Sequence, residues 1–392
     1  MRIAVFGGSF NPPHPGHVRA ARAACEALRP DKLIVIPAAD PPHKALPACS
    51  PGPEERLYLT RLAFSAMPEA EVSDIEILRS GESYTADTVA QLQAAYPGAD
   101  IILIVGTDML LYFEKWNHFR WLLNNVTVAA LSREDGDSRE ISEYSAYLRE
   151  EYGANVLFVD SPPLPMSSSQ LRELLRARSG ADVLAPEVYG RIIKTRDYGA
   201  KPQFSWLREH AYGMLKPGRI AHVKGCEAQA VSLARRWGAD ADSAAEAAIL
   251  HDITKKLVLS EQLLLCGKYG IIVDSLEAES AKLLHARTGA ALARDLFGIP
   301  DDIYDAIRWH TTGRPAMALL EKIIYLADYI EPNRDFEELE SLRRLSYTNI
   351  DEAMALGLKL SLKDLRAYDV RPHGATVSAL EYYEGAAETA AE

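Results

Sequence analysis

Two histidines three residues apart, His14-Pro-Gly-His17, follow the run Arg2-Ile-Ala-Val-Phe-Gly7-Gly8-Ser9-Phe10-Asn-Pro-Pro, and the whole string is suited to holding a nucleoside triphosphate. Imidazole N–H groups can donate to phosphate oxygens, Ser9 adds a hydroxyl, and Gly7 and Gly8 let the backbone turn tightly. Ile3 to Phe6 reads as a buried strand. After Gly16 the pattern Val18, Ala21, Cys25, Leu28 predicts a helix whose first amides would face phosphate beside the two rings. Taken out of this context, an H-x-G-H string would be a pair of surface histidines.

The other half of the chain carries a different inventory: His222, His251-Asp252, His285, His310 and Asp328. One histidine in a helix is ordinary. These recur at the ends of apolar-periodic segments, as in Ala247-Ala-Ile-Leu-His251 and Ile323-Ile-Tyr-Leu-Ala-Asp328, where an unpartnered carboxylate would be costly. Imidazole plus carboxylate suits Fe, Mn, Co or Zn, and six ligands suffice for two ions if Asp252 bridges them. Two such ions about 3.5–4 Å apart can activate water and clamp a phosphate during in-line displacement.

A further phosphate grip is offered by Pro165-Met-Ser167-Ser168-Ser-Gln-Leu-Arg172, with serines at a helix start and Arg172 in its first turns. Alone, this would be a capped helix with a solvated arginine.

These groups need elements to position them. Up to about residue 200, strand-length apolar runs at Leu33–Ile36, Ile101–Val105, Val126–Leu131 and Val156–Val159 alternate with helical stretches such as Glu54–Met67 and Thr85–Ala95, predicting a parallel α/β sheet. Prolines and a glycine at 41, 42 and 51–53 mark long loops at its carboxyl edge, where open sheets bind ligands. After Tyr198 the segment Gly199-Ala-Lys-Pro202 breaks the pattern, and the rest of the chain is almost wholly helical in character. The expected organisation is an α/β domain over 1–200, an all-α domain over 204–384 and a frayed tail over 385–392.

With 392 residues the chain suggests two cores. A net charge of -12 argues against general affinity for nucleic acid or anionic membrane, while leaving room for a local positive pocket. Cys25, Cys49, Cys226 and Cys266 form no C-x-x-C pair and read as reduced thiols; with no signal-type or 18-residue apolar stretch, a cytoplasmic location is expected.

The first string resembles the GGxFxPxHxGH signature of nucleotidyltransferases with an HIGH-type motif, and more narrowly the bacterial nicotinate-nucleotide adenylyltransferases, whose I-S-S-T-x-I-R motif is similar to Met166–Arg172. The resemblance covers residues 1 to 198 and implies a Rossmann-like fold and transfer of AMP from ATP, accompanied by Mg2+, to nicotinate mononucleotide. It implies catalytic roles for His14, His17 and Arg172, and an ATP site from Gly7, Gly8, Ser9, Phe10, Gly106, Asp108, Ser167 and Ser168. Four weaker segments, Pro41-Pro-His43-Lys44, Asp74–Arg79, Gly81–Thr85 and Gly106–Asp108 with Trp116, match that family in order and spacing. They imply that Lys44, with His43, meets phosphate and that Tyr84, Thr85 and Trp116 surround the pyridine, with Arg133 as a further substrate contact.

In the second half the order H…HD…H…H…D resembles the HD-domain phosphohydrolases. The strings Arg219-Ile-Ala-His222, His251-Asp-Ile-Thr-Lys255, His310-Thr-Thr-Gly313 and Ala327-Asp328-Tyr-Ile-Glu-Pro332-Asn-Arg334 narrow this to bacterial HD-type symmetrical diadenosine-tetraphosphate hydrolases, over about 204–380. That resemblance implies a di-metal centre on His222, His251, Asp252, His285, His310 and Asp328, with iron as the cellular metal and Mn, Co or Zn as substitutes. Asp252 and Lys255 would be catalytic, and Lys255 and Arg334 would hold phosphate. Ala286 departs from the glycine often found after the third histidine. Alternatives are an adenylyltransferase for nicotinamide mononucleotide or phosphopantetheine, and an HD nucleotidase, cyclic-dinucleotide phosphodiesterase or non-catalytic nucleotide-binding module. Self-association stays open.

Overall fold

The backbone of the computed structural model, described for residues 1–42, 45–79, 81–132, 137–161 and 166–389, forms two units, Met1–Lys201 and Pro202–Glu392. His43, Lys44 and Arg133 lie outside the described residues.

The first unit is built on six parallel strands, β1 (Arg2–Gly8), β2 (Lys32–Pro37), β3 (Ala70–Val72), β4 (Asp100–Gly106), β5 (Thr127–Leu131) and β6 (Asn155–Val159), in the order β3-β2-β1-β4-β5-β6. Alternation decides how the strands are covered, because successive side chains point to opposite faces. Ile3, Val5, Ile101 and Leu103 join one core with Val89 and Leu92 of the helix Thr85–Ala95; Ala4, Ile102 and Ile104 join another with Ala21 and Ala24 of the helix Pro15–Leu28. Both faces are buried, which is why these strands read as continuous apolar runs. The short edge strand β3, with Glu71 at its centre, carries no such signal.

Strand order reverses between β1 and β4, which pair with Phe6 beside Ile104. The crevice beyond their carboxyl ends is the place where doubly wound sheets bind nucleotides. Gly7-Gly8-Ser9 leaves β1 on one side of it and Gly106-Thr107-Asp108 leaves β4 on the other.

The second unit is helical. The helix Ile220–Trp237 packs against Ala241–Leu250 and Leu319–Ile330, and Leu233, Ile249, Ile307, Ile323 and Leu326 lie in one core with them. The last helix, Gly374–Thr389, carries the expected frayed segment in helical form as far as Thr389. No helix among the described residues is long and apolar enough to cross a membrane.

Candidate active sites

At the end of β1, His14 caps the helix Pro15–Leu28: its Nδ1 accepts the Gly16 amide (3.2 Å), while the Nδ1 of His17 accepts the His14 amide (3.2 Å). Both rings therefore carry their proton on Nε2 when neutral, which makes that nitrogen the donor. Their centroids are 3.8 Å apart. The amides expected to face phosphate are engaged instead: Pro15 has none, Gly16 is bound by His14 Nδ1, and the His17 amide donates to the His14 carbonyl (2.9 Å).

The helix Ser168–Arg176 supplies the opposing cation. Ser167 and Gln170 form a reciprocal capping box, and Ser168 Oγ donates to the Pro12 carbonyl (3.2 Å), tying this helix to the loop before His14. Arg172 is buried; it donates to the Asn11 carbonyl (2.6 Å) and to Ser169 Oγ (2.9 Å). Burial holds its pKa below the usual arginine value. Both of these acceptors of Arg172 are neutral oxygens, so its positive charge is not neutralised by them.

Arg56, which the sequence did not single out, is fully buried and pins the two loops together through the carbonyls of Ser9 (3.0 Å), Ala38 (2.6 Å) and Ala39 (2.8 Å). An arginine within a helix gives no sequence sign of such a role.

On the far side of β1, Ser83 Oγ accepts the amides of Ala39 (2.9 Å) and Asp40 (3.2 Å), fixing the start of the helix Thr85–Ala95 against the loop after β2. Tyr84 and Thr85, both half-buried, stand at that helix start, and the Tyr84 hydroxyl neighbours Asn117, next to Trp116. Trp116 stacks on Phe113 at 4.7 Å and is itself partly exposed. Beneath them Thr88 Oγ1 donates to buried Glu76 (2.7 Å) and accepts from Arg79 (3.1 Å). Asp108 is exposed beyond β4.

The six residues expected as metal ligands come together. His251 and His310 follow the last turns of the helices Ala241–Leu250 and Asp301–Trp309; His222 and His285 lie near the starts of Ile220–Trp237 and Ala281–Phe297; Asp328 is near the end of Leu319–Ile330. Each imidazole commits its Nδ1–H to an oxygen: His222 to Glu331 Oε1 (3.1 Å), His251 to the Ala248 carbonyl (2.7 Å), His285 to that of Lys282 (2.6 Å) and His310 to that of Ile307 (2.6 Å). Four Nε2 lone pairs consequently face inward.

At the centre is Asp252, fully buried. Its Oδ1 is 3.2 Å from His285 Nε2 and 3.8 Å from His310 Nε2; its Oδ2 is 3.3 Å from His251 Nε2 and 4.0 Å from His222 Nε2. Asp328 Oδ1 is 3.0 Å from His222 Nε2. Against the burial that opposes ionisation, His251, His285 and Lys255 hold the Asp252 carboxyl well below the usual range, and His222, His251 and Arg334 do the same for Asp328. Burial, with His251 and His285 nearby, pushes His310 well below the usual imidazole value.

Acceptors crowd acceptors here. His251 Nε2 and Asp252 Oδ1 are buried without hydrogen-bond partners among the described residues. Such a donor set fits divalent cations and fits poorly with a dry core.

Around it stand three cations: Arg219 Nε on Asp252 Oδ2 (2.5 Å), Arg334 Nη2 on Asp328 Oδ1 (2.6 Å), and Lys255 Nζ at 3.0 Å from His285 Nε2. The linear pattern assigns no part to Arg219, Glu331 or Cys226. Spacing could have found Cys226, one helical turn after His222 and so on the same face.

The comparisons with known proteins agree with this division. A cytidylyltransferase-like family model matches residues 5–174 and an HD domain model matches 219–333, so the chain joins a nucleotidyltransferase fold to an HD domain. A "Probable nicotinate-nucleotide adenylyltransferase" of Carboxydothermus hydrogenoformans is 37% identical over 198 residues, 50% of this chain and 98% of that protein. A Mycoplasma genitalium protein named "Probable nicotinate-nucleotide adenylyltransferase/Ap4A hydrolase" is 27% identical over 366 residues, 92% of this chain and 97% of its own. A crystal structure from Clostridium acetobutylicum, described as an HD superfamily hydrolase involved in NAD metabolism, shares 32% identity with a TM-score of 0.45, covering 46% of this chain and 97% of that one. The chain belongs to the nicotinate-nucleotide adenylyltransferase family, in the form that carries an HD domain on the same polypeptide.

Proposed function

We propose that the protein is a two-headed enzyme: it transfers AMP from ATP to nicotinate mononucleotide, releasing pyrophosphate and forming nicotinate adenine dinucleotide, and it splits diadenosine tetraphosphate into two ADP. For the first activity the observation that carries the reading is the paired imidazole arrangement, in which the Nδ1 of both His14 and His17 accepts a backbone amide, so that Nε2 is the donor nitrogen of each neutral ring, just after β1 at the β1 to β4 switch point. Adenylyl transfer asks for alignment and charge stabilisation rather than covalent participation. The mononucleotide phosphate oxygen attacks the α-phosphorus of ATP, the bond to the bridging oxygen breaks, and pyrophosphate leaves. His14 and His17 donate to the phosphate oxygens on which charge grows, and Arg172 and Ser168 steady the departing pyrophosphate. Gly7, Gly8, Ser9 and Phe10 shape the triphosphate loop, with Gly106 and Asp108 across the crevice and Ser167 capping the helix behind it. Tyr84, Thr85 and Trp116 receive the nicotinate ring, and His43, Lys44 and Arg133 complete the substrate contacts.

For the second activity, His222, His251, Asp252, His285, His310 and Asp328 would hold two divalent cations; iron is the favoured occupant and Mn, Co or Zn are substitutes. Bound there, the cations supply Lewis-acid activation of water and neutralise phosphate charge. The protein's own share is orientation and charge: Glu331 and three backbone carbonyls fix the ring tautomers, and Lys255 and Arg334 meet the polyphosphate.

The decisive assay is product analysis on the full chain. Nicotinate mononucleotide is expected to be turned over in preference to nicotinamide mononucleotide. Diadenosine tetraphosphate should yield ADP alone; AMP plus ATP would contradict symmetrical cleavage. A second half that is inert with added iron or manganese would favour a non-catalytic nucleotide-binding module.

A further inference from the structure

We infer that Cys226 is a sulfur ligand of the HD-domain metal site, an assignment that rests on the metal-binding reading above and adds to it a donor of a different chemical class. Cys226 is buried in the helix Ile220–Trp237, four residues after His222, and its Sγ lies 3.2 Å from His222 Nε2, the nitrogen turned toward the site. Its sulfur, a ring nitrogen of His222 and of His251, and a carboxylate oxygen of Asp328 all lie within 4.8 Å of one another. An independent feature points into the same space: His251 Nε2 is buried, only 1% of that side chain is exposed, and the atom has no hydrogen-bond partner among the described residues.

The spacing suits coordination. With metal–nitrogen bonds near 2.0–2.1 Å and metal–sulfur bonds near 2.3 Å, neighbouring nitrogen and sulfur ligands stand roughly 3.1–3.6 Å apart, so the observed separation needs little adjustment. On binding, the thiol proton leaves to solvent and the thiolate takes its place on the cation. A site of imidazoles and carboxylates alone suits manganese as well as iron or zinc. A thiolate shifts the preference toward zinc, cobalt and ferrous iron and away from manganese and magnesium.

The test uses the full-length protein, stripped with chelator and reloaded with cobalt(II) as the only metal. The expected spectrum has the visible d–d bands of bound cobalt together with the near-ultraviolet thiolate-to-cobalt charge-transfer band. That band should vanish in Cys226→Ser and persist in Cys266→Ala, and cobalt affinity in Cys226→Ser should fall by roughly tenfold or more, the scale of loss when a supporting group of a metal site is removed. X-ray absorption of the unmutated protein reads the cobalt–sulfur bond directly, so the answer does not depend on the variant folding. Cobalt bound with nitrogen and oxygen scatterers only, in protein that still hydrolyses diadenosine tetraphosphate, would overturn the sulfur ligand and leave the hydrolase reading intact. Failure to take up cobalt at all would overturn both.

Discussion

The Nε2 atoms of His285 and His310 stand 3.1 Å apart while the Nδ1–H of each ring is spent on a backbone carbonyl. Two lone pairs at that distance, buried beside Asp252, repel each other; Lys255 Nζ, 3.0 Å from His285 Nε2, and Thr311 Oγ1 relieve this in part, and a divalent cation bound among them would relieve it further. Loading the chelated protein with manganese or ferrous iron should therefore stabilise the second unit, by about 2.7 kcal/mol when free metal exceeds its dissociation constant a hundredfold. Scanning calorimetry with and without metal reads this, and an unmoved second transition would speak against a cation site.

Gly225 lies next to the carboxylate that orients His222. A Cβ built there would sit 2.5 Å from Glu331 Oε2 and 3.0 Å from Pro332, so Gly225→Ala must shift the Glu331 carboxylate, whose other oxygen holds the His222 ring. Support of this kind is worth about 10–100-fold in metal affinity. Titration calorimetry with cobalt should show that loss in a protein that still folds; unchanged affinity would mean that Glu331 does not set the ring's orientation.

In the proposed reaction Arg172 would offer its guanidinium to phosphate, from a buried position that a lysine cannot reproduce with the same two contacts. Arg172→Ala should lower kcat/KM for dinucleotide synthesis by about 10²–10³-fold, with Arg172→Lys recovering only part. Diadenosine tetraphosphate hydrolysis should be untouched. A loss confined to thermal stability would reduce Arg172 to a structural tie between the helix Ser168–Arg176 and Asn11.

Glu76 gives a pH signature. Burial raises its carboxyl pKa, although Thr88, Ser83 and Arg79 pull the other way. A carboxyl whose pKa is raised on folding contributes stability below its ordinary value of 4.5 and loses it as pH climbs through the raised value. Glu76→Gln removes that dependence. The melting temperature of the variant's first unit should rise relative to wild type between pH 4.5 and neutrality; a difference that is flat or falls with pH would refute the account.

Much of this was legible because chemistry and periodicity coincide in the sequence. Strands buried on both faces, such as Ile101–Val105, announce themselves as apolar runs, and the six metal-site residues stood out because polar groups at the edges of apolar helices need a reason. Edge strand β3 was not legible, being three residues long with a glutamate at its centre. Nor was the engagement of the first helical amides, which arises from His14 capping its own helix and not from any composition rule. Arg56 and Glu331 act by tertiary contact, with Glu331 meeting His222 across 109 positions of chain. A linear pattern does not carry such pairings.

Two separate sites on one polypeptide is the central claim, and a crossed pair of variants tests it most directly. In full-length protein loaded with metal, His17→Ala should depress nicotinate adenine dinucleotide formation by about a hundredfold or more while ADP release from diadenosine tetraphosphate continues at the wild-type rate, and Asp252→Ala should do the reverse. If either variant, folded by circular dichroism, silences both reactions, the two sites are not independent and the account is wrong.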